Sequence, residues 1–187
     1  QIKLTKIYYH HEAHAASATL LSMYDKGLVL TADGRGDYES LTLSIFDRNK
    51  KDPLTKIYSA TSSDSLGYFY GSITKSLGFT PHRHEGKILG LAAYDTKQES
   101  YETIKEMISY DRENHKFSGD MHKGIYKPSY DNPELDDAIS KYSREDVASS
   151  TQRRLEEVIF EFLSGINDNK IKISLAGGVF ANVKVNQ

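Results

Sequence analysis

Two histidines near the start of the chain have the spacing of a helical ligand pair. His10 and His14 are separated by His11, Glu12 and Ala13. On an α-helix, residues four apart lie about 40° apart around the axis, so both imidazoles can reach one ion. The helical zinc-protease pattern does not fit, because Glu12 stands two residues after His10 and cannot take the general-base place of that motif. The alternative, a histidine-rich helix start with solvated rings, carries equal weight at this point.

A carboxylate that could complete such a site follows the first apolar strand. Residues 28–32 are predicted as a buried strand, which leads into Asp33-Gly34-Arg35-Gly36-Asp37. Active groups in α/β folds tend to lie at strand ends, and Asp33 would add the hard oxygen ligand that two histidines lack. Asp-Gly is also a strong hairpin-turn signal. From these residues alone, an ordinary hairpin turn is the favoured interpretation.

Two glycine-containing segments could approach an anion. One is the predicted strand that runs into Gly177-Gly178 and continues to Asn182, and the other is Glu85-Gly86-Lys87 near a helix start. Glycines allow backbone N–H groups to approach a phosphate without obstruction by a Cβ atom. Neither segment is a Walker A loop or a dinucleotide fingerprint. Each segment alone also fits an interpretation without a ligand: Gly177-Gly178 could be an ordinary turn, and Lys87 could be a solvated lysine at a helix end.

The hydrophobic pattern predicts the elements that must position these residues. Good helix formers follow His10, three apolar runs form a strand-turn-strand series typical of a β-meander, and helical periodicity then takes over. Residues 111–142 are polar and are predicted as a loop-rich insertion, after which Ser143 is the expected N-cap of the longest helix. We therefore expect an α/β or α+β layer fold. Predicted strands are 28–32, 41–45, 54–60 and 170–175; predicted helices begin at 10, 65, 88 and 143.

Composition limits the class of protein. The 187 residues carry 24 Lys+Arg against 26 Asp+Glu, a formal charge of −2, and no cysteine. Nucleic-acid binding is disfavoured because no basic excess exists, and disulfides and thiolate metal sites are excluded. No apolar run has the length of a membrane span and no signal peptide opens the chain, so we expect a cytoplasmic protein without a membrane partner. The chain begins at Gln1 and stops just after the Gly-Gly turn, which indicates a fragment of a larger protein.

The motifs in this order resemble the carbamoyltransferase family, which includes nodulation-factor and antibiotic O-carbamoyltransferases. The resemblance covers nearly the whole chain apart from the stretch around 111–142. Five segments carry it: HHEAHAASA from His10, DGRG from Asp33, SLGYFY from Ser65, EGKILGLA from Glu85 and AGGVFAN from Ala176.

This resemblance implies a fold and a reaction. The fold would be α/β, an actin-like, ribonuclease-H-like ATPase fold with a mixed sheet flanked by helices, related to the tRNA threonylcarbamoyladenosine synthases. Members of the family use carbamoyl phosphate and ATP to form a carbamoyl-adenylate, and then pass the carbamoyl group to a hydroxyl of a small-molecule acceptor. A homodimer is compatible with this interpretation, and neither nucleic acid nor membrane is an expected partner.

The resemblance also implies roles for single residues. A divalent metal, Fe²⁺ in first place with Zn²⁺ or Mn²⁺ as alternatives, would be held by His10, His14 and Asp33, and His14 and Asp33 would be catalytic. The nucleotide-contacting turn of the family matches Gly177, Gly178 and Asn182. Its glycine-lysine segment matches Gly86, Lys87 and Gly90.

The family pattern departs from this chain in three places. An earlier phosphate-binding hairpin, a further metal-ligating aspartate and a C-terminal domain that forms the adenylate would lie outside residues 1–187, so we expect this fragment to be inactive alone. Rival hypotheses are a tRNA-modifying threonylcarbamoyl-transfer protein of the same fold, a non-catalytic nucleotide-binding module and a metallohydrolase. The ring of His11 is expected to be solvated, the alternative being support of the ligand pair or proton handling.

Overall fold

The computed structural model describes residues 7–95, 97–119, 131–166 and 171–187. They form an α/β structure in which helices flank a mixed sheet. None of the helices in these ranges is long and apolar enough to cross a membrane. The helices are α1 (His10–Leu20), α2 (Leu66–Ser76), α3 (Glu85–Ala92), α4 (Tyr101–Lys105), α5 (Pro133–Ile139) and α6 (Arg144–Ser164). The strands are β1 (Lys26–Gly36), β2 (Glu39–Asp47), β3 (Leu54–Thr61), β4 (Ile108–Asp111), β5 (Lys116–Gly119) and β6 (Ile173–Ala176).

The main sheet has the strand order β3-β2-β1-β6. Strands β1, β2 and β3 pair antiparallel, which confirms the predicted meander. Strand β6 returns after α6 and pairs parallel with β1, with Leu28 opposite Ile173 and Thr31 opposite Ala176. The carboxyl ends of β1 and β6 therefore meet at one edge of the sheet, since parallel strands end on the same side.

The two faces of the sheet are covered by different helices. Helix α1 packs on one face, where its buried residues are His11, Ala15 and Thr19. Helix α2 packs against β1 on the other face and contacts α6, and there the alternate residues of β1 and β2 enter the hydrophobic core. The largest side chains of that core with almost no exposed surface include Phe69, Phe117, Phe162, Leu30, Leu43 and Ile73.

Helix α6 is the longest helix, and it begins where the sequence predicts. The Ser143 side chain accepts a hydrogen bond of 3.1 Å from the Asp146 backbone N–H, which confirms Ser143 as the N-cap. The Asp146 carboxylate in turn accepts bonds from the backbone N–H groups of Glu99 and Ser100, at 2.6 and 2.8 Å. These bonds fasten the loop before α4 to the start of α6.

The remaining elements include several that the sequence pattern did not predict. Helix α3 begins three residues earlier than expected, and the short helix α4 and the β4–β5 hairpin were not anticipated. Within the predicted loop-rich insertion, 111–142, the described flanks contain β5 and α5, while 120–130 lie outside the described residues. Residues 167–170, where the last strand was predicted to begin, lie outside them too, and β6 starts at Ile173.

Helix α2 begins directly against the end of β1. The Ser65 hydroxyl accepts a hydrogen bond of 3.0 Å from the Tyr68 backbone N–H, as an N-cap does, and donates one of 3.0 Å to the Asp33 carbonyl. Gly67 lies so close to β1 that a Cβ atom there would be 2.6 Å from the Gly34 nitrogen and 2.8 Å from the Asp33 carbonyl carbon. The SLGY motif therefore fixes the backbone of Asp33 through the hydrogen bond from Ser65 and the close approach of Gly67.

This close approach yields a stability prediction. Gly67→Ala should lower the free energy of unfolding by about 1–3 kcal/mol, since backbone atoms must move to admit the new methyl group. Gly90→Ala in α3 is the matched control, because a Cβ atom there meets nothing within 4 Å. It should be neutral or stabilising by up to about 1 kcal/mol. Chemical denaturation measures both, and equal effects would contradict the packing described for Gly67.

Candidate functional site

Asp33 lies inside strand β1, four residues before the hairpin turn. The predicted hairpin is confirmed, since β1 and β2 pair antiparallel, but the turn was predicted over residues 33–37 and begins only at the last of these residues. Strand β1 continues through Gly36, and the turn residues are Asp37 and Tyr38, whose φ angles are +52° and +73°. The pairing of β1 with β2 shifts register between Ala32 and Gly36, which is the signature of a bulge. Such an irregularity re-aims a side chain, and here the side chain is the Asp33 carboxylate.

The two histidines of α1 and Asp33 converge on one point. The Nε2 atoms of His10 and His14 lie 3.3 and 3.2 Å from the same oxygen, Oδ2 of Asp33. The three potential ligand atoms all lie within 4.8 Å of one another. The side chains of His10 and His14 are 40% and 32% exposed, so the site is open to ligands on one side. The spacing argument brought His10 and His14 together and the family resemblance added Asp33; the structure places all three close together, and their role as metal ligands stays a prediction.

The remaining residues of the DGRGD segment hold His10 in place. The Asp37 carboxylate accepts a hydrogen bond of 2.6 Å from the His10 backbone N–H, and so caps α1, whose own N-cap residue, Tyr9, supplies no side-chain bond. Gly36 lies under the His10 ring, where a Cβ atom would be 2.1 Å from Cδ2 of that ring. The turn after β1 therefore positions the helix that carries the histidines.

The surroundings of Asp33 favour its ionised form. Burial alone would raise its pKa, but hydrogen bonds from the Gly34 backbone N–H, from His10 and from the Gly178 backbone N–H outweigh burial and lower the pKa below its ordinary value. The Gly34 nitrogen lies 2.8 Å from Oδ1, which leaves Oδ2 for the two histidines. Asp33 is thus ionised at neutral pH, as a carboxylate that held a metal would have to be.

The Gly-Gly turn after β6 lies beside Asp33. Gly177 has a φ of +97°, and a Cβ atom on it would be 2.3 Å from the Ala32 carbonyl oxygen. A Cβ atom on Gly178 would lie 3.0 Å from Oδ1 of Asp33. Gly177 is therefore required by the contact between the ends of β1 and β6, whatever ligand it meets, and a side chain at Gly178 would press against the Asp33 carboxylate.

His11 is buried, and the expectation of a solvated ring is wrong. Only 3% of its surface is exposed, because this position of α1 faces the sheet. Its Nδ1 lies 2.7 Å from the Thr31 hydroxyl and its Nε2 lies 3.2 Å from the Glu39 carbonyl oxygen, while the Thr31 and Thr42 hydroxyls are 2.8 Å apart. Since a carbonyl can only accept, Nε2 carries the proton in the neutral ring. Burial lowers the pKa of His11.

A cavity of about 460 Å³ opens beside Asp33. Of the residues predicted to contact nucleotide, Gly178, Asn182 and Gly86 line it. Gly177, Lys87 and Gly90 are not part of its wall, and the Lys87 ammonium lies 5.5 Å from the centre of the Phe79 ring. The rest of the wall comes mainly from α2, from the turn before α3 and from the segment after β6: Leu66, Gly67, Tyr70, His82, Arg83, Glu85, Val179 and Ala181 among others.

Asn182 is held in one orientation by a hydrogen-bond network that the sequence did not reveal. Its Oδ1 accepts bonds from the backbone N–H groups of Lys184 and Val185, which fixes which end of the amide is oxygen. Gln152 of α6 then pairs with it reciprocally, at 2.7 and 3.2 Å, and the Tyr70 hydroxyl donates to Gln152. The Asn182 side chain also donates to the Tyr70 hydroxyl, so Tyr70, Gln152 and Asn182 form one hydrogen-bond network beside the cavity.

The remaining residues that sequence reasoning missed have weak local signals. Ser65 stands in an N-cap context before an apolar helix, which could have indicated its capping role but not its bond to Asp33. Arg83 lines the cavity and Gln152 of α6 bonds to two residues of its wall, Tyr70 and Asn182, and no spacing in the sequence points to either.

Comparison with known proteins agrees with this arrangement of motifs. The family model described as "Carbamoyltransferase N-terminus" matches residues 1–187. An uncharacterized protein of Methanocaldococcus jannaschii is 34% identical over 98% of this chain and 32% of its own length. The nodulation protein NolNO of Sinorhizobium fredii is 31% identical over 95% of this chain and 26% of its own length. The nodulation protein NolO of Bradyrhizobium diazoefficiens is 28% identical, with 95% and 32% covered. The chain spans about a third of the length of these relatives or less.

The buried His11 gives a pH prediction for stability. Its pKa is lower in the folded than in the unfolded protein, where the ordinary value is 6.5. The unfolded state therefore binds more protons as the pH falls below that value, and stability is lost on acidification. His11→Gln, which keeps a donor for the Glu39 carbonyl but has no titrating ring, should lose less stability between about pH 7 and 5. Denaturant titrations at several pH values test this, and parallel curves for the two proteins would refute it.

Proposed function

The chain belongs to the carbamoyltransferase N-terminal family, and on that premise we propose that the protein containing it is an ATP-dependent O-carbamoyltransferase. It would use carbamoyl phosphate and ATP, by way of a carbamoyl-adenylate, to carbamoylate a hydroxyl of a small molecule. One observation carries this proposal: Asp33 belongs both to a cluster of metal-ligand type and to the wall of a cavity of about 460 Å³. A metal and an adenylate could therefore meet at one residue.

The proposal includes the actin-like, ribonuclease-H-like fold implied by the sequence. Three antiparallel strands in order, followed through helices by a strand parallel to the first, are compatible with it. Ligands of open α/β sheets bind outside the carboxyl ends of the strands. The candidate site lies where β1 and β6 end, and that position supports the proposal. The proposed location of the protein is the cytoplasm, where ATP is available.

The donor set fits a divalent transition metal. Two imidazole nitrogens and one carboxylate oxygen, with an open side, are the set found at non-haem Fe²⁺ sites, and Zn²⁺ or Mn²⁺ could also accept it. His10, His14 and Asp33 would hold the ion, with further ligands from elsewhere in the full-length protein. When bound, a divalent ion supplies Lewis-acid polarisation of a carbonyl or phosphoryl oxygen.

The residues of the chain itself orient this site. Hydrogen bonds from Gly34 and from the Gly178 backbone keep Asp33 ionised and direct Oδ2 toward the histidines. The cap from Asp37 and the contact of Gly36 fix His10, and the helix then fixes His14. In the proposed reaction His14 and Asp33 are the residues nearest the reacting group, which would lie between the His10–His14–Asp33 cluster and the cavity.

The cavity would bind the adenylate. Gly86 and Gly178 have no side chain that would fill it, and Asn182 lines it in an orientation fixed by its hydrogen bonds with Gln152. Gly177 and Gly90 would act only through the backbone that they shape. The hydroxyl acceptor would approach from the open side of the His10–His14 pair.

The metal assignment predicts the metal content of variants. The full-length protein, reconstituted with Fe²⁺, Zn²⁺ or Mn²⁺ and desalted, should retain about one ion per chain at this cluster. His10→Ala, His14→Ala and Asp33→Asn should each reduce retention at least about tenfold, since a ligand is lost. Elemental analysis of the purified proteins measures the ratio.

The matched control for these variants is His115→Ala. This histidine lies exposed in the β4–β5 turn, bonded to the Tyr110 hydroxyl and remote in sequence from the cluster. Its substitution should leave metal retention unchanged. Absence of bound metal in the reconstituted full-length protein, or equal retention by all four variants, would contradict the assignment.

The reaction itself predicts two separable activities of the full-length protein. With labelled carbamoyl phosphate, ATP and a panel of hydroxylated small molecules, AMP release should accompany formation of a carbamoylated product. Asp33→Asn should reduce product formation about 100-fold or more while pyrophosphate release from ATP continues, because the adenylate would be formed in the other domain. Product chromatography and a pyrophosphate assay measure the two steps.

Asp52→Asn, an exposed carboxylate of the β2–β3 turn, is the control and should behave as the wild type. Hydrolysis of carbamoyl phosphate without ATP would refute the proposal in favour of a metallohydrolase. Nucleotide binding without any turnover would refute it in favour of a non-catalytic module.

A further inference from the structure

Two basic side chains lie near the start of α3, Arg83 in the turn before it and Lys87 within it, and only Arg83 lines the cavity. Arg83 lines the cavity, whereas the Lys87 ammonium lies over the Phe79 ring at 5.5 Å from its centre. The Arg144 guanidinium lies against the same ring at 4.5 Å, so Phe79 holds two cations away from the cavity. Among the described residues that form the wall, Arg83 is the one Lys or Arg side chain.

The backbone around Arg83 is held in an uncommon conformation. His82 has a φ of +64°, a left-handed value that costs a non-glycine residue about 1 kcal/mol or more. Two side chains hold this turn: the Glu85 carboxylate accepts a 2.5 Å bond from the His82 backbone N–H, and His84 Nδ1 accepts a 3.1 Å bond from Thr80. Arg83 stands between these bonded residues, so the turn holds its backbone, while its side chain is exposed.

The charges in the wall leave Arg83 available for a ligand. Two carboxylates line the cavity, Asp33 and Glu85. Asp33 accepts bonds from the histidines, and Glu85 accepts one from the backbone of the turn. Within the part of the chain that the structure describes, the Arg83 guanidinium is not paired with an acidic side chain. An unpaired guanidinium beside a cavity is suited to an anion with two oxygens to share.

We propose that Arg83 binds the phosphate group of the ligand in this cavity, and that it, rather than Lys87, is the cation of the segment that contacts the ligand. The proposal rests on the proposed function in taking that ligand to be an adenylate. Gly86, in the first turn of α3, would leave room for the phosphate beside Arg83. The metal cluster and Arg83 would then contact the charged ligand from two different elements, the end of β1 and the turn before α3.

The test compares AMP with adenosine, which lacks the phosphate. Binding of each to the full-length protein is measured by isothermal titration calorimetry. Arg83→Ala should weaken AMP binding by about tenfold or more and leave adenosine binding unchanged, since a charge-assisted hydrogen bond is lost only with AMP. Arg83→Lys should recover part of the AMP affinity, because lysine restores the positive charge but not the two parallel N–H donors of the guanidinium.

Two further variants make the result decisive. Arg112→Ala removes the same side chain from the exposed β4–β5 turn and should leave both affinities unchanged. Lys87→Ala distinguishes the two basic residues of the segment. The proposal is overturned if Lys87→Ala weakens AMP binding and Arg83→Ala does not. It is also overturned if Arg83→Ala weakens AMP and adenosine equally, or if the wild type binds no AMP.

Failure of this proposal is separable from failure of the proposed function. Carbamoyl transfer that persists at the wild-type rate in Arg83→Ala would remove the role of Arg83 and leave the enzyme assignment intact. Absence of carbamoyl transfer in the wild type, together with AMP binding that depends on Arg83, would refute the enzyme assignment and keep the role of Arg83.

Discussion

The arrangement of this site depends on one carboxylate, Asp33, at the point where four elements meet. Strand β1 carries it, β6 brings the Gly178 backbone beside it, α2 binds its carbonyl through Ser65, and α1 points two histidines at one of its oxygens. The requirement behind these contacts is electrostatic: a half-buried carboxylate needs hydrogen-bond donors in order to stay ionised. The adjacent Gly34 supplies one backbone donor, and the parallel pairing of β1 with β6 adds a second, from Gly178, that is distant in sequence.

The glycines of the site serve backbone packing around that carboxylate. Gly36 admits the His10 ring, Gly67 admits the backbone of β1, and Gly177 admits the Ala32 carbonyl, each at a distance that a Cβ atom would block. Glycine-rich motifs are often read as phosphate-binding loops. Here the contacts within the protein already require these glycines. Of these three glycines Gly67 also borders the cavity, as do Gly34, Gly86 and Gly178.

Features that depend on residues close together in the sequence could be predicted from it, and features that depend on residues far apart could not. His10 and His14 were found because helical spacing is local, and the β-meander was found because alternation is local. The position of the hairpin turn was wrong because the bulge at Asp33 depends on α1 and β6, which lie far away in sequence. His11 was misjudged for the same reason, since Thr31 and Glu39 bury it. Lys87 was predicted to contact an anion because it follows a glycine near a helix start, yet its ammonium lies over the Phe79 ring.

The polar contacts of His11 also explain how α1 can hold His10 and His14 in a defined direction although the helix packs on the sheet with only a small apolar face. Its buried residues, His11, Ala15 and Thr19, form a stripe at intervals of four, and two of the three are polar. Hydrogen bonds from His11 to the sheet therefore do what hydrophobic packing does in other helices: they set the rotation of the helix about its axis. At 100° per residue, His10 and His14 lie on one side of that stripe, about 80° from His11 on average. The buried histidine thus determines the direction of the two exposed ones.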